Sequence, residues 1–211
     1  MLAIVVAAVI ISHALRDPRN RNIAEEWAFT GSSLITERNL VEAESAYRRA
    51  LALDPNSALA WDGLGLAQYD AGRLADARQS LSRAQALDPG SARPVFHAAL
   101  VDEREGKLAD AVRGYERAVD LRPDDAEIGY HLGTALGMAG RVEEARDRMR
   151  RVVALNPSNG EAWLDLCLLS LDLRDVETAA SALQRARELG AAPRRIEFAA
   201  QALARARSTS R

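Results

Sequence analysis

The tetrapeptide Ala-Leu-Asp-Pro occupies residues 52–55 and returns unchanged at residues 86–89. Asp-Leu-Arg-Pro follows at residues 120–123 and Ala-Leu-Asn-Pro at residues 154–157, so each proline lies 34 residues after the one before it. A fixed period of this length is typical of repeat proteins in which each unit is one supersecondary element. The spacing therefore predicts a solenoid, whose function lies on a surface.

The same kinds of residue recur at the same places within each unit. We count the units from Ala24, Ala58, Ala92, Ala126 and Gly160. The fourth residue is then tryptophan in three units, the seventh and eighth are Leu-Gly in two, and the twentieth is always alanine. Apolar residues fall at i, i+3, i+4 and i+7 steps in two segments per unit, separated by a glycine such as Gly72. This pattern predicts two amphipathic helices per unit and no strand.

In these residues the chain resembles the tetratricopeptide repeat family, whose pattern has tryptophan, Leu-Gly, alanine, an aromatic residue, alanine and proline at these places. The resemblance implies an all-α fold, a right-handed α-solenoid of five helix-turn-helix repeats with a C-terminal capping helix. Arg174 departs from the pattern because it stands where glycine usually turns the chain. The expected segments are repeats at 24–57, 58–91, 92–125, 126–159 and 160–193 (together 23–193), a capping helix at 194–207 and a disordered tail at 208–211.

The N-terminal segment, residues 1–15, is hydrophobic and contains no Asp, Glu, Lys or Arg. As a helix it would be about 22 Å long, short of the ~30 Å hydrocarbon core of a bilayer. We expect a membrane anchor that contacts lipid. The alternatives are a cleaved secretory signal, a helix buried against a partner subunit, and a start site misplaced within a longer anchor.

A basic linker, residues 16–22, is expected to follow the anchor. Its arginines are Arg16, Arg19 and Arg21. Because positive charge is enriched on the cytoplasmic side of membrane segments, they favour a cytoplasmic location for the repeats, with the periplasm as the alternative.

Composition limits the class of partner. The chain is 48% hydrophobic and 27% charged, which favours a packed domain over a disordered one. Between the basic ends, residues 22–193 carry 20 basic and 28 acidic side chains, so nucleic acid is not an expected partner. The single cysteine, Cys167, occupies a small-residue packing position and is interpreted as a buried, inert thiol.

The sequence does not point to an enzyme. It lacks the GxGxxG, GxxxxGK, HExxH and CxxC motifs, and we expect no cofactor and no metal. His97, His131 and Asp165 share the sixth position of three successive units, a set compatible with a divalent metal. Neighbouring repeats would set these side chains about 10 Å apart, so we interpret them as polar groups lining a groove.

The resemblance implies that function lies on the concave face, which the first helices line. The residues there form an apolar and aromatic strip with acidic edges, which suits a partner helix or an apolar peptide with basic flanks. Phe96 and Tyr130 occupy equivalent positions and are expected to lie side by side. The candidate partner-binding residues are Leu59, Asp62, Leu66, Tyr69, Arg93, Phe96, His97, Leu100, Glu103, Glu127, Tyr130, His131, Leu164 and Leu168.

Some members of this family grip a partner's C-terminal carboxylate with lysine and asparagine in the first unit. Ala28 and Ser32 stand at those places, so that clamp is absent. The resemblance therefore implies a non-catalytic protein–protein interaction scaffold or accessory subunit, tethered at a membrane within a larger complex. The alternative is a periplasmic assembly or maturation factor, for example one similar to cytochrome c biogenesis proteins or to factors that assemble envelope complexes.

Overall fold

The computed structural model describes residues 18–209. Over this range the chain forms eleven α-helices and no strand. The prediction of an all-α fold built from helix-turn-helix repeats and a capping helix is confirmed. The helices are α1 (Pro18–Thr36), α2 (Leu40–Leu53), α3 (Ala58–Asp70), α4 (Leu74–Leu87), α5 (Ala92–Arg104), α6 (Leu108–Leu121), α7 (Ala126–Met138), α8 (Val142–Leu155), α9 (Gly160–Asp172), α10 (Val176–Glu188) and α11 (Pro193–Thr209).

The chain divides between Glu105 and Gly106 into two compact units, each of which contains several helices and is larger than one sequence repeat. In the first unit, α1 pairs with α2 and α3 with α4, and α5 packs on α4 and α3. In the second unit, α7 pairs with α8 and α9 with α10, while α11 covers both α9 and α10. The short connections make each pair an antiparallel hairpin, as the repeat pattern predicts.

Small residues allow the helices of a hairpin to approach closely. The alanine at the twentieth position of the repeat is fully buried in all five repeats. The buried ring of Tyr47, on α2, fills the space beside Gly31 of α1 and Gly63 of α3, where no Cβ occupies the contact. Large and small residues therefore alternate across the helix contacts, which is the arrangement that fills a core without voids.

The turn between the two helices of each repeat requires one residue in the left-handed backbone conformation, with a positive φ. Gly72, Gly106 and Gly140 supply it with φ values of 78°, 76° and 75°. Arg38 and Arg174 adopt the same conformation, with φ values of 60° and 59°, although a side chain disfavours it. The turn is thus imposed by the packing of the hairpin even where the sequence lacks glycine.

The two ends of the described chain differ from the sequence predictions. Helix α1 begins at Pro18, so residues 18–22 are helical and not a linker, because proline is well suited to the first turn of a helix. Helix α11 extends to Thr209, into the segment predicted to be a disordered tail. The predicted anchor (residues 1–15) and residues 16, 17, 210 and 211 lie outside the described residues.

Candidate functional site

The first helices of the hairpins form the candidate surface, which we call the first-helix surface. It comprises α1, α3 and α5 in the first unit, and α7 and α9 in the second unit. Phe96 belongs to the first unit and Tyr130 to the second, so their pairing stays a prediction.

Four of the predicted partner-binding residues are buried, namely Asp62, Phe96, His97 and Leu164. Leu164 is fully enclosed in the apolar core of the second unit, so it stabilises the fold and offers no surface to a partner. The remaining ten are partly or fully exposed, and their role in binding stays a prediction. They are Leu59, Leu66, Tyr69, Arg93, Leu100, Glu103, Glu127, Tyr130, His131 and Leu168.

Asp62 is the centre of a polar cluster in the first unit. Asp62 is only 2% exposed. Its Oδ1 atom lies 2.7 Å from Nδ1 of His97 on α5. Its Oδ2 atom lies 3.2 Å from a guanidinium nitrogen of Arg93, an ionic contact whose angle does not make a hydrogen bond. The prediction that Asp62 forms part of an acidic edge is therefore wrong, because its charge is buried and paired with Arg93, whose side chain is 44% exposed.

Arg104 presents a second fixed guanidinium at the other end of α5. It donates to the backbone carbonyl of Tyr69 at 2.7 Å and lies over the Tyr69 ring, 4.9 Å from its centroid. Burial raises the pKa of the Tyr69 hydroxyl, and the nearby carboxylates of Glu103 and Asp70 add to this effect while Arg104 opposes it. This end of the surface therefore has charges of both signs.

The second unit holds a network that joins its surface to the capping helix. Tyr130 donates from its hydroxyl to Oδ2 of Asp165 at 3.0 Å, and Arg195 of α11 binds the other oxygen of Asp165. Arg195 also binds Oε2 of Glu161 at 2.5 Å, while Oε1 of Glu161 accepts from the Ala192 amide at 2.7 Å. Burial, followed by Asp165, raises the pKa of Tyr130 to about 12.

A cleft of about 510 Å³ opens between α1 and α3 in the first unit. Phe29 and Leu59 contribute its exposed apolar side chains, at 76% and 47% exposure, and Ala28 and Ser32 also line it. The predicted partner-binding residues do not include Phe29, although Phe29 holds the sixth position of its repeat, as His97, His131 and Asp165 do in later repeats. That shared position was a usable signal in the sequence.

No set of three or more His, Cys, Asp or Glu side chains in residues 18–209 is arranged to hold a metal ion. Cys167 is fully buried, and burial raises the pKa of its thiol to about 11. It therefore remains protonated at neutral pH, which does not suit a nucleophile.

Comparison with known families identifies the repeat. The tetratricopeptide repeat profile matches residues 30–92, 97–147 and 130–196. The chain belongs to the tetratricopeptide repeat family. Members of this family are in general non-catalytic scaffolds for protein–protein interaction. A comparison with curated proteins finds no match for this tetratricopeptide protein.

Solved structures of other proteins share the fold. PilF from Pseudomonas aeruginosa gives a TM-score of 0.81 at 19% identity, covering 88% of this chain and 85% of that one. MamA gives 0.66 at 23% identity, covering 75% and 93%. YrrB, described as a TPR protein with an unusual peptide-binding site, gives 0.67 at 19% identity, covering 90% and 97%. At these identities the similarity shows the fold alone.

Proposed function

We propose that this tetratricopeptide protein is a non-catalytic scaffold or accessory subunit at a membrane, which binds a helix or peptide of a protein partner on its first-helix surface. The observation that carries the proposal is that each compact unit leaves apolar side chains of its first helices incompletely buried. In the first unit these are Leu59, Leu66 and Leu100, and in the second unit Leu168 and Met138. Apolar side chains that remain accessible beside polar residues are typical of protein-binding surfaces.

Membrane tethering is the second part of the proposal. It rests on the hydrophobic residues 1–15, which precede the basic residues Arg16, Arg19 and Arg21. None of the helices within residues 18–209 has both the length and the hydropathy that spanning a bilayer requires. The tether therefore depends on residues 1–15.

Removal of residues 1–15 tests the tether. We expect the full chain to sediment with native membranes and to resist extraction by high salt and by carbonate. The truncated chain should appear in the soluble fraction with unchanged helix content, measured by circular dichroism. Soluble behaviour of the intact chain, beginning at Met1, would contradict the proposal.

The side of the membrane also needs a direct test. We propose the cytoplasmic side from the arginines that follow the hydrophobic segment, with a periplasmic assembly role as the alternative. A reporter fused after Arg211 separates the two, because alkaline phosphatase is active only outside the cytoplasm and green fluorescent protein exported by the general secretory route does not fluoresce.

A further inference from the structure

We propose that the cleft between α1 and α3 binds one large apolar side chain of the partner, and that Arg93 binds an acidic side chain about three residues away from it. The proposal rests on the proposed function and specifies the chemistry of the partner. The sequence pattern predicts basic flanks, because Asp62, Glu103 and Glu127 are expected to form the acidic edges of the strip. Glu103 is partly exposed and Glu127 is exposed, so the structure changes this expectation at Asp62 alone. Its burial beneath Arg93 reverses the sign of the charge that a partner meets at this place.

Two neighbouring junctions between first helices differ in the residues that meet there. At the junction of α3 with α5, Asp62 is the fifth residue of one repeat and Arg93 is the second residue of the next. The two side chains form an ion pair. At the junction of α1 with α3, the same positions are Ala28 and Leu59. The later junction therefore carries an ion pair, whereas the earlier one has two uncharged side chains at the same positions.

The charged groups that line the cleft have contacts of their own within the chain. Arg21 and Glu25 form an i,i+4 pair at 3.5 Å on α1. Asp54 accepts from the amide of Asn56 at 3.0 Å within the turn that precedes α3. Phe29 and Leu59 are the exposed apolar side chains of the cleft, and we assign the contact with the apolar side chain of the partner to them. The volume of the cleft exceeds that of a single leucine or phenylalanine side chain and falls in the range of ligand pockets.

Charge complementarity selects an acidic neighbour for the apolar anchor. Arg93 contacts Asp62 through one nitrogen, and the exposed part of its guanidinium carries further N–H donors in a planar fork suited to a carboxylate. The buried Asp62 holds this fork in place, and His97 holds Asp62 from the opposite oxygen. A carboxylate of the partner would therefore meet a positioned donor group instead of a mobile side chain.

The spacing of the two sites follows from the repeat. Leu59 and Arg93 occupy the second position of successive units, so they are one helix spacing apart on the surface. Packed helices lie about 8–10 Å apart, and an extended chain advances about 3.3 Å per residue. The expected partner motif is therefore a large apolar residue with an aspartate or glutamate about three residues away in the sequence.

A peptide selection tests the motif with the full chain in the presence of phospholipid nanodiscs. The probe is a random dodecapeptide display library, followed by fluorescence anisotropy with the enriched peptides. We expect enriched peptides to contain Leu, Phe or Met with Asp or Glu about three residues away. No enrichment, or enrichment of peptides that lack either residue or carry lysine in place of the acid, would overturn the proposal.

Two exposed-residue variants locate the binding on the protein. The double variant Phe29→Ser/Leu59→Ser should weaken the enriched peptides by about tenfold or more, since it removes the apolar walls. The matched control is Val41→Ser on α2, which is 77% exposed and outside the cleft, and it should leave the affinity unchanged. Equal affinity of the double variant and the parent protein would refute the apolar site.

The charge contact has its own control. Arg93→Gln should lower the affinity for an enriched acidic peptide severalfold, but it should leave unchanged the affinity for the same peptide with Asp→Asn. Arg83→Gln, on the exposed side of α4, should leave the affinity for both peptides unchanged. If Leu66→Ser and Leu100→Ser weaken the peptides while the cleft variants do not, the cleft assignment is wrong and the proposed function stands. If no variant on the first-helix surface weakens them, both are wrong.

Discussion

Replacement of Gly63 by alanine should destabilise the first unit, although alanine is the better helix former. An ideal Cβ on Gly63 would lie 2.2 Å from Cε1 and 2.3 Å from Cζ of Tyr47. Carbon atoms in contact prefer about 3.5–4.0 Å, so the ring would have to move by more than about 1 Å. Tyr47 cannot move freely, because it is buried and its ring already lies against Gly31 of α1.

The magnitude follows from two opposing effects. Overpacking of this kind costs about 1–3 kcal/mol. The better helix propensity of alanine over glycine returns about 1 kcal/mol. Because the overlap with the Tyr47 ring is large, we place the overpacking cost at the upper end of its range, about 2–3 kcal/mol, and therefore expect Gly63→Ala to lower the free energy of unfolding by about 1–2 kcal/mol. Gly137→Ala is the control of opposite sign, since its Cβ would meet Leu169 at 3.6 Å and Ala145 at 3.9 Å, both ordinary contacts.

Urea denaturation measures both variants. In a Trp163→Phe background the remaining tryptophans, Trp27 and Trp61, belong to the first unit, so fluorescence reports the unit that contains Gly63. Circular dichroism follows the whole chain, and Gly137→Ala should raise the midpoint. A midpoint for Gly63→Ala at or above that of the parent would refute the described packing of Tyr47 between α1 and α3. In a Tyr47→Ala background the cost of Gly63→Ala should disappear.

Three further predictions concern single side chains. Arg174→Gly should raise stability by about 0.5–1 kcal/mol in urea denaturation, because Arg174 has a left-handed φ of 59°; an unchanged or lower stability would show that the turn is not strained. Ser170→Ala should leave the free energy of unfolding unchanged or raise it by up to about 1 kcal/mol, since this buried hydroxyl has no hydrogen-bond partner among the described residues. Ser80→Ala is the contrasting variant, which should destabilise the fold because it loses the 2.7 Å hydrogen bond to Gln68. Burial raises the pKa of the Cys167 thiol to about 11 in the folded chain, whereas the thiol of the unfolded chain ionises from about pH 8.5 upward. The free energy of unfolding should therefore fall as the pH rises from about 8.5 to 11. A Cys167→Ala variant with the same pH profile of stability would contradict this.

The period of the sequence was sufficient to predict the helices. Each alanine at the twentieth position is buried, and Gly72, Gly106 and Gly140 adopt the left-handed turn, because both features depend on local rules that repeat every 34 residues. The bounds of α1 were harder to predict, since the segment before Ala24 has no counterpart in the other units. Pro18 was a start signal that the repeat count did not include.

The candidate surface was less predictable than the fold. The position of Asp62 in its unit predicts that it faces outward, but its burial depends on His97, which lies 35 residues later and supplies a matching hydrogen bond. Arg195 could have been found by continuing the count into the capping helix, where it holds the second position, as Arg93 does in the third unit. Polar contacts between successive first helices recur at a separation of 35 residues, as for Asp62 with His97, Tyr69 with Arg104 and Tyr130 with Asp165. The period gives the separation, but the residue types at these positions change from repeat to repeat, so the period alone does not reveal which pairs form.

Site-specific photo-crosslinking in the source cell tests the central claim, that a protein partner binds the first-helix surface. A benzophenone amino acid replaces Leu66 or Leu100 on the first helices, or Gln79 or Arg83 on the exposed side of α4. The account predicts an adduct with the same partner from both first-helix positions and none from the α4 positions. Adducts formed only from Gln79 or Arg83, or no adduct from either leucine, would contradict it.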